Sequence, residues 1–510
     1  MSSTTKTLLA VLTGVMLTAS FPPLDLEWLA WFSLLPLLKS LEGTSPRRAF
    51  RLGLTAGLVH QLTLIYWIIE VLDHYGGLHF SISILLLLLL CLYLALYPAL
   101  FASLCGFVKD SRLACLKLAC LWVVLELIRA KALTGFPWCL LGYSQYRFLE
   151  IIQIADLTGV YGISFLIVLI NGLIYALATA RRISINRILI WELPIAVVVA
   201  LLTFTYGQAV LDGRSLTKKE CRNIPVAIIQ GNIDQSIKWD PAFQSQTIDK
   251  YRKLTRKAAR FSPDLIVWPE TSVPFFFQNN PNFSPQVMQI AAESHADLIF
   301  GSPAFRREKD AIHYYNRAYI VSREGVISGL YDKVHLVPFG EYVPLKRFLP
   351  FVHRLVPAAG DFTAGDRIVP FRSSALSIGI LICFEAIFPE IGRGHSANGA
   401  DILVNLTNDA WFGMTSAPFQ HLSMSVFRAV ENRRPFLRAA NTGFSAFIDI
   451  NGRVISRSDL FHEEVLVYRV KSCPIPVSFY TRYGDLFAWA CLIFSLLIVF
   501  IHLYNKRRRV

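Results

Sequence analysis

The sequence predicts a polytopic α-helical membrane domain of about eight transmembrane helices joined to a layered α/β domain. Three observations lead there. The 510 residues are 54% hydrophobic and only 17% charged, with a mean hydropathy of +0.45, the profile of an integral membrane protein. Eight apolar segments, each long enough or nearly so to cross a bilayer, flank a central stretch of ordinary polarity. Within that stretch short branched apolar runs alternate with longer helical patterns, as a layered α/β fold requires.

The apolar segments cover about 6 to 21, 27 to 41, 52 to 71, 80 to 108, 112 to 130, 160 to 180, 188 to 210 and 486 to 504. The first two are short, and Pro22-Pro23 between them reads as a tight turn. Lys6 ahead of an apolar stretch ending in Thr18-Ala19-Ser20 also fits a signal peptide, but a second apolar segment follows at once. The expected domains are a membrane domain over 1–215, an α/β domain over 220–472, and a last helix with a basic tail over 484–510. Strands are expected at 224 to 230, 264 to 268, 297 to 301, 376 to 382 and 401 to 406, with helices at 243 to 260, 285 to 295 and 417 to 433. The links near Leu216 to Arg222 and Ser472 to Tyr483 are polar or contain proline, and no repeat or low-complexity tract interrupts the chain.

Charge orients the helices. Arg47, Arg48 and Arg51, then Lys109, Arg112 and Lys117, then Arg181, Arg182 and Arg187, and finally Lys506 to Arg509 fall in alternate connections and at the C-terminus, which predicts that those ends are cytoplasmic. The α/β domain then falls on the opposite, extracytoplasmic side. Lys131 and Arg147 also fall there, against the trend. The net charge of +14 matches anionic lipid head groups better than nucleic acid, because much of it lies in short juxtamembrane clusters and no nucleic-acid module is present. A transport pathway would need buried charge, for which Glu70, Glu126 and Arg129 are the few candidates, and they stand close enough to helix ends to snorkel.

Of nine cysteines, Cys91, Cys105, Cys115, Cys120 and Cys491 lie in apolar helices as core fillers. Cys139, Cys221, Cys383 and Cys473 face the oxidising side. Cys221 and Cys473 bracket the α/β domain and are a candidate pair. No spacing suggests zinc, and neither a metal nor a cofactor is expected.

Three short segments near the middle offer reactive groups: Trp268-Pro269-Glu270, Tyr331-Asp332-Lys333-Val334-His335-Leu336 and Ile382-Cys383-Phe384-Glu385. Glu270 and Cys383 lie just beyond the C-terminal ends of expected strands, the sheet edge where α/β proteins build ligand sites. A free thiol is mostly protonated at neutral pH, so a cysteine nucleophile needs a base or a positive field to ionise. Glu270 can supply the first and Lys333 the second. Should Cys383 attack a carbonyl, the same ammonium can stabilise the oxyanion that forms.

These residues resemble the carbon-nitrogen hydrolase (nitrilase) superfamily, whose Glu-Lys-Cys triad occurs in this order on an α-β-β-α sandwich. The likeness runs from about Ile224 to Val470. It includes Gln230-Gly231-Asn232, the stretch Asn405 to Gly413, Arg428 to Pro435, and Arg438 to Gly443. In the membrane part, Thr134 to Gln145 and Ala155 to Gly162 resemble stretches of the apolipoprotein N-acyltransferase family. That resemblance implies a bacterial inner-membrane acyltransferase working by ping-pong. Cys383 would take an acyl chain from a phospholipid as a thioester, and the α-amine of a diacylglyceryl-cysteine lipoprotein would accept it. Glu270 would act as the base, and Lys333 would hold the oxyanions.

The resemblance also implies supporting roles for Glu341, in Pro338 to Pro344, and for Glu385 and Trp239. Phe384 stands where tyrosine can occur in relatives. His335 and His421 read as structural histidines beside buried strands. Phe275-Phe276-Phe277 and Phe348 to Phe351 read as surface-loop apolar runs able to dip into lipid. Two other readings stay open: a membrane-anchored amidase that passes the acyl group to water, and a sensor or transporter with a receptor domain.

Overall fold

The computed structural model describes residues 1–108, 112–180, 185–186, 188–213, 221–308, 311–342, 361–373 and 375–507. Lys109, Arg181, Arg182, Arg187, Arg508, Arg509, Phe348 to Phe351 and most of the Leu216 to Arg222 link therefore lie outside the described residues. The chain forms two compact units. One comprises Met1–Ile68, Ser81–Ser215 and Tyr483–Val510, the other Ile69–Phe80 and Leu216–Arg482.

The first unit is helical: α1 (Ser3–Ala19), α2 (Leu35–Ser40), α3 (Pro46–Leu64), α4 (Phe80–Val108), α5 (Ala114–Lys131), α6 (Val160–Thr179), α7 (Leu193–Leu211) and a C-terminal helix, Leu486–Arg507. Among the described residues three helical stretches are long and apolar enough to cross a membrane, Phe80–Val108, Val160–Thr179 and Ile188–Leu211. A fourth arises if α3 and Ile68–Tyr75, bent by 57° at their break, count as one. Ser3–Ala19 and Leu486–Ile501 are apolar but shorter. Among the described residues, length and composition do not confirm the expected count of about eight spans.

The segment expected over 27 to 41 is not one helix. It divides into a 3₁₀ turn, Glu27–Trp31, and the short α2, in whose first turn Pro36 sits. Proline lacks the N–H that a continuous helix would need at that point. Helix α5 carries Glu126 and Arg129, and both are buried rather than snorkelling. The loop after α5 explains this: Leu141 N donates to Glu126 Oε1 at 2.8 Å, and Arg129 Nη2 donates to the Trp138 carbonyl at 2.8 Å. Helices α3 and α4 touch backbone to backbone. A Cβ on Gly53 would lie 2.5 Å from the Pro98 carbonyl, and one on Gly57 2.9 Å from the Ala95 Cα, so only small residues permit this crossing.

The second unit holds two six-stranded sheets. The first contains β1 (Arg222–Gln230), β2 (Leu265–Val267), β3 (Asp297–Glu308), β4 (Ala311–Val321), β5 (Ile327–Asp332) and, at its other edge, the last strand of the domain, Glu464–Ser472. The second contains β6 (Phe371–Arg372), β7 (Ser377–Ile382), β8 (Ile402–Thr407), β9 (Phe436–Ala440), β10 (Ala446–Ile448) and β11 (Val454–Arg457). The last strand, β12, pairs antiparallel with β1, while β1, β2 and β3 run parallel, as do β7, β8 and β9.

Side chains alternate across the sheets as period-two strands demand. Val226 and Ile228 join Ile378, Ile380, Val404 and Leu437 in one core between the sheets. Ala227 and Ile229 face the other way, into a core with Ile248, Tyr251 and Leu254 of α8 (Gln244–Ala259) and Val287 and Ile290 of α9 (Ser284–Ser294). Helices α10 (Pro389–Ala397) and α11 (Ala417–Asn432) pack on the outer face of the second sheet. The layers are helix, sheet, sheet, helix. Cys221 and Cys473 flank the Arg222–Ser472 end of the β1–β12 pairing and form a disulfide.

Candidate active site

Glu270 follows β2, Lys333 follows β5 and Cys383 follows β7, so three strand ends deliver the three predicted groups. All three are buried. Cys383 closes β7 in a left-handed conformation, φ +50°, and opens the 3₁₀ turn Cys383–Ile387 that leads into α10. A non-glycine residue there is strained and persists only where its surroundings hold it. Asn405 of β8 supplies part of that hold, donating from Nδ2 to the carbonyls of Leu381 and Cys383 at 3.2 Å each. Behind it, Arg438 Nη1 donates to Asn405 Oδ1 at 2.7 Å and Nη2 to Asp409 Oδ2 at 2.6 Å.

Lys333 Nζ lies 4.0 Å from Glu270 Oε1 and donates to Glu341 Oε1 at 3.0 Å. Asn316, on β4, spans the two carboxylates: its Nδ2 donates to Glu270 Oε1 at 2.7 Å and to Glu341 Oε1 at 2.8 Å. Burial pulls the Lys333 pKa down, but the Glu341 and Glu270 charges outweigh burial and leave it raised, so the ammonium persists. Burial pushes the Cys383 thiol up to about 12, Glu270 adds to that and Lys333 opposes it. At rest the thiol is therefore protonated, and ionising it needs a base within reach.

Glu385 is buried with four donors around it. Oε1 accepts from Val334 N at 2.7 Å and His335 N at 3.1 Å, and Oε2 accepts from Ile382 N at 2.6 Å, while the Tyr331 hydroxyl donates to both oxygens. It ties the Lys333 loop to the Cys383 turn. Trp239 stands elsewhere. It is exposed and lines a cleft of about 530 Å³ with Phe276, Tyr314 and Phe362.

Residues 13–173 match the family model described as the apolipoprotein N-acyltransferase N-terminal domain, and residues 225–473 match that described as carbon-nitrogen hydrolase. A protein of Geobacter metallireducens named apolipoprotein N-acyltransferase is 45% identical over 95% of this chain and 93% of its own length. The chain belongs to the apolipoprotein N-acyltransferase family. It is an acyltransferase of the carbon-nitrogen hydrolase superfamily. A Photobacterium profundum protein of the same name is 32% identical over 99% of this chain and 96% of its own. An amidase structure from Nesterenkonia sp. is 19% identical, with a TM-score of 0.40, over 52% of this chain and 94% of that one.

Within the acyltransferase, two histidines singled out in the sequence take packing positions. His335 lies against the Phe388 ring at 3.6 Å between centroids, and His421 Nδ1 lies 3.2 Å from the buried Asp409 Oδ1. The Phe275-Phe276-Phe277 run is corrected. Phe275 and Phe277 are core residues beneath the first sheet, and only Phe276 is part-exposed, because the chain turns inward to pack on Phe300 and Tyr319.

Two residues of the site escaped the sequence reading. Asn316 gave no signal beyond a polar side chain on an otherwise mixed strand. Lys238 is buried beside Trp239, and its Nζ donates to the Glu270 carbonyl at 3.3 Å and to Thr271 Oγ1 at 3.2 Å. Its position next to Trp239 is the one signal the sequence offers for it.

Proposed function

We propose that this acyltransferase moves a fatty acyl chain from a membrane phospholipid to the N-terminal α-amine of a diacylglyceryl-cysteine lipoprotein, through a thioester on Cys383. The observation that supports it best is the buried ammonium of Lys333 seated between Glu270 and Glu341. Glu270 takes the thiol proton as Cys383 Sγ attacks the ester carbonyl, and Lys333 stabilises the oxyanion. The C–O bond breaks and Glu270 returns the proton to the departing lysophospholipid. In the second half the amine attacks the thioester, a C–N bond forms, the C–S bond breaks, and the amine proton passes by way of Glu270 to the thiolate. Glu341 and Asn316 orient Lys333 and Glu270. Trp239 and the cleft it lines offer apolar surface beside the segment that follows Glu270.

The alternating basic clusters support an inner-membrane location with the 220–472 domain on the periplasmic side. Membership of a lipoprotein-modifying family and a membrane-associated first unit favour a lipid donor over a soluble one. The test is a single-turnover experiment. Given phospholipid vesicles alone, the wild type is expected to gain a hydroxylamine-labile acyl mass on Cys383 and release about one equivalent of lysophospholipid, then stall. A diacylglyceryl peptide should discharge it into an amide, whereas Glu270→Gln should form no thioester. Continuous release of free fatty acid without acceptor would instead make the protein a hydrolase.

A further inference from the structure

Lys238 stands apart from Lys333 in the company it keeps. Lys333 faces two carboxylates, whereas the hydrogen-bond partners of Lys238 are neutral oxygens, both on the turn that carries Glu270. That turn is conformationally demanding, since Thr271 has φ +46°. It is also tightly packed from the other side: a Cβ on Gly301 would lie 2.5 Å from Thr271 N and 2.8 Å from the Glu270 Cα. A buried ammonium that satisfies the Glu270 carbonyl and the Thr271 hydroxyl thus clamps the turn from within.

Charge points the same way. Glu270, Glu341 and the buried Glu385 place carboxylates around Lys333, while Asp409 near Cys383 is paired with Arg438. Among the described residues the buried ammonium groups beside Glu270 are Lys333 and Lys238. Without the Lys238 charge the thiolate would form with one positive charge fewer against those carboxylates, which opposes ionisation.

We propose that Lys238 is a positioning residue for acyl transfer: it fixes the Glu270–Thr271 turn and supplies, with Lys333, the positive field under which Cys383 ionises. The inference rests on the triad reading above. Burial lowers the Lys238 pKa to about 8, with Glu270 and Cys383 pulling it back up. Asp234 and Asp240, in its own loop, accept instead from the backbone N–H groups of Ser236 and Ala242. A lysine depressed in this way is charged below about pH 8 and neutral above it, so acylation should fade on the alkaline side.

The experiment compares full-length wild type, Lys238→Met, Lys238→Arg and Glu270→Gln in detergent. Iodoacetamide labelling of Cys383 at pH 7, read by mass of the Cys383 peptide, requires no natural substrate. Lys238→Met is expected to slow labelling by about tenfold, the effect of removing one neighbouring opposite charge, and Lys238→Arg to stay close to wild type. In acyl transfer, the alkaline fall near pH 8 should be present in the wild type and absent in Lys238→Arg. Wild-type labelling by Lys238→Met, or an alkaline fall that survives in Lys238→Arg, would overturn the proposal. Should Lys238→Met not fold, the pH profile of Lys238→Arg decides alone. Undiminished labelling of Glu270→Gln would show that the base itself is misassigned, which is a different failure.

Discussion

Lys333 keeps its charge in a buried site only because Glu270 and Glu341 flank it, and those carboxylates in turn tolerate each other only across that ammonium and Asn316 Nδ2. Lys333→Met should therefore act twice. It removes the oxyanion partner, at a cost of about 100-fold to 1,000-fold in the acylation rate, and it leaves two carboxylates facing each other, a loss of about 3 to 5 kcal/mol for a broken buried pair. Glu341→Gln keeps an oxygen acceptor for Asn316 and should lose less of both. Thermal unfolding and single-turnover rates measured on the two variants check this, and a Lys333→Met protein as active as wild type would remove Lys333 from the reaction. Glu270 and Cys383 were legible as candidates because each ends a strand-like run, and Lys333 because an ammonium completes the chemistry that a base and a thiol need. Asn316 and Lys238 were not. An amide on a mixed-polarity strand and a lysine in a polar loop look solvated until the fold buries them.

Strand ends place these groups, and the fit of neighbouring strands sets how closely. Gly301, on β3, lets that strand pass under the Glu270 turn, and Gly301→Ala would force a methyl onto Thr271 N and the Glu270 Cα. The expected result is a folded protein whose acylation rate drops by about 10-fold to 100-fold, since displacement of a catalytic group by about 1 Å has an effect of that size. An unchanged rate would mean that the turn adapts freely. Strands β1, β2, β3, β7 and β8 were legible as branched apolar runs because both faces of a parallel strand are covered here. The antiparallel strands β4, β5 and β11 were not, since exposed positions such as Ile312, Tyr314, Ile327 and Val454 blur any alternation of polarity, and β10, though buried throughout, is only three residues long. The phenylalanine run 275–277 misled for the converse reason: its neighbours Pro274 and Asn279 read as loop, while Phe275 and Phe277 pack in a core. Segment 27 to 41 was apolar enough for a span but broke ahead of Pro36.

At the scale of the whole chain, the segment Ile69–Phe80 groups with the catalytic unit although it lies in sequence between α3 and α4. Tyr75 meets the Trp411 ring edge-on at 5.5 Å, and Glu70 lies where a Cβ on Gly413 would meet it at 3.3 Å. A connection that packs against the catalytic unit must lie on the same side of the membrane as that unit, whatever the number of spans. The Cys221–Cys473 disulfide favours the oxidising side, because such bonds are rare in the reducing cytosol. The basic clusters give the same orientation from a different force, the retention of Lys and Arg in cytoplasmic loops. Alkaline phosphatase, active only outside the cytoplasm, should accordingly be active when fused after Asp73 or Asp212 and inactive after Glu42 or Val510. Activity after Asp73 with none after Asp212 would place an odd number of crossings between them and put the thioester site out of reach of an extracytoplasmic lipoprotein, which the proposed reaction does not survive.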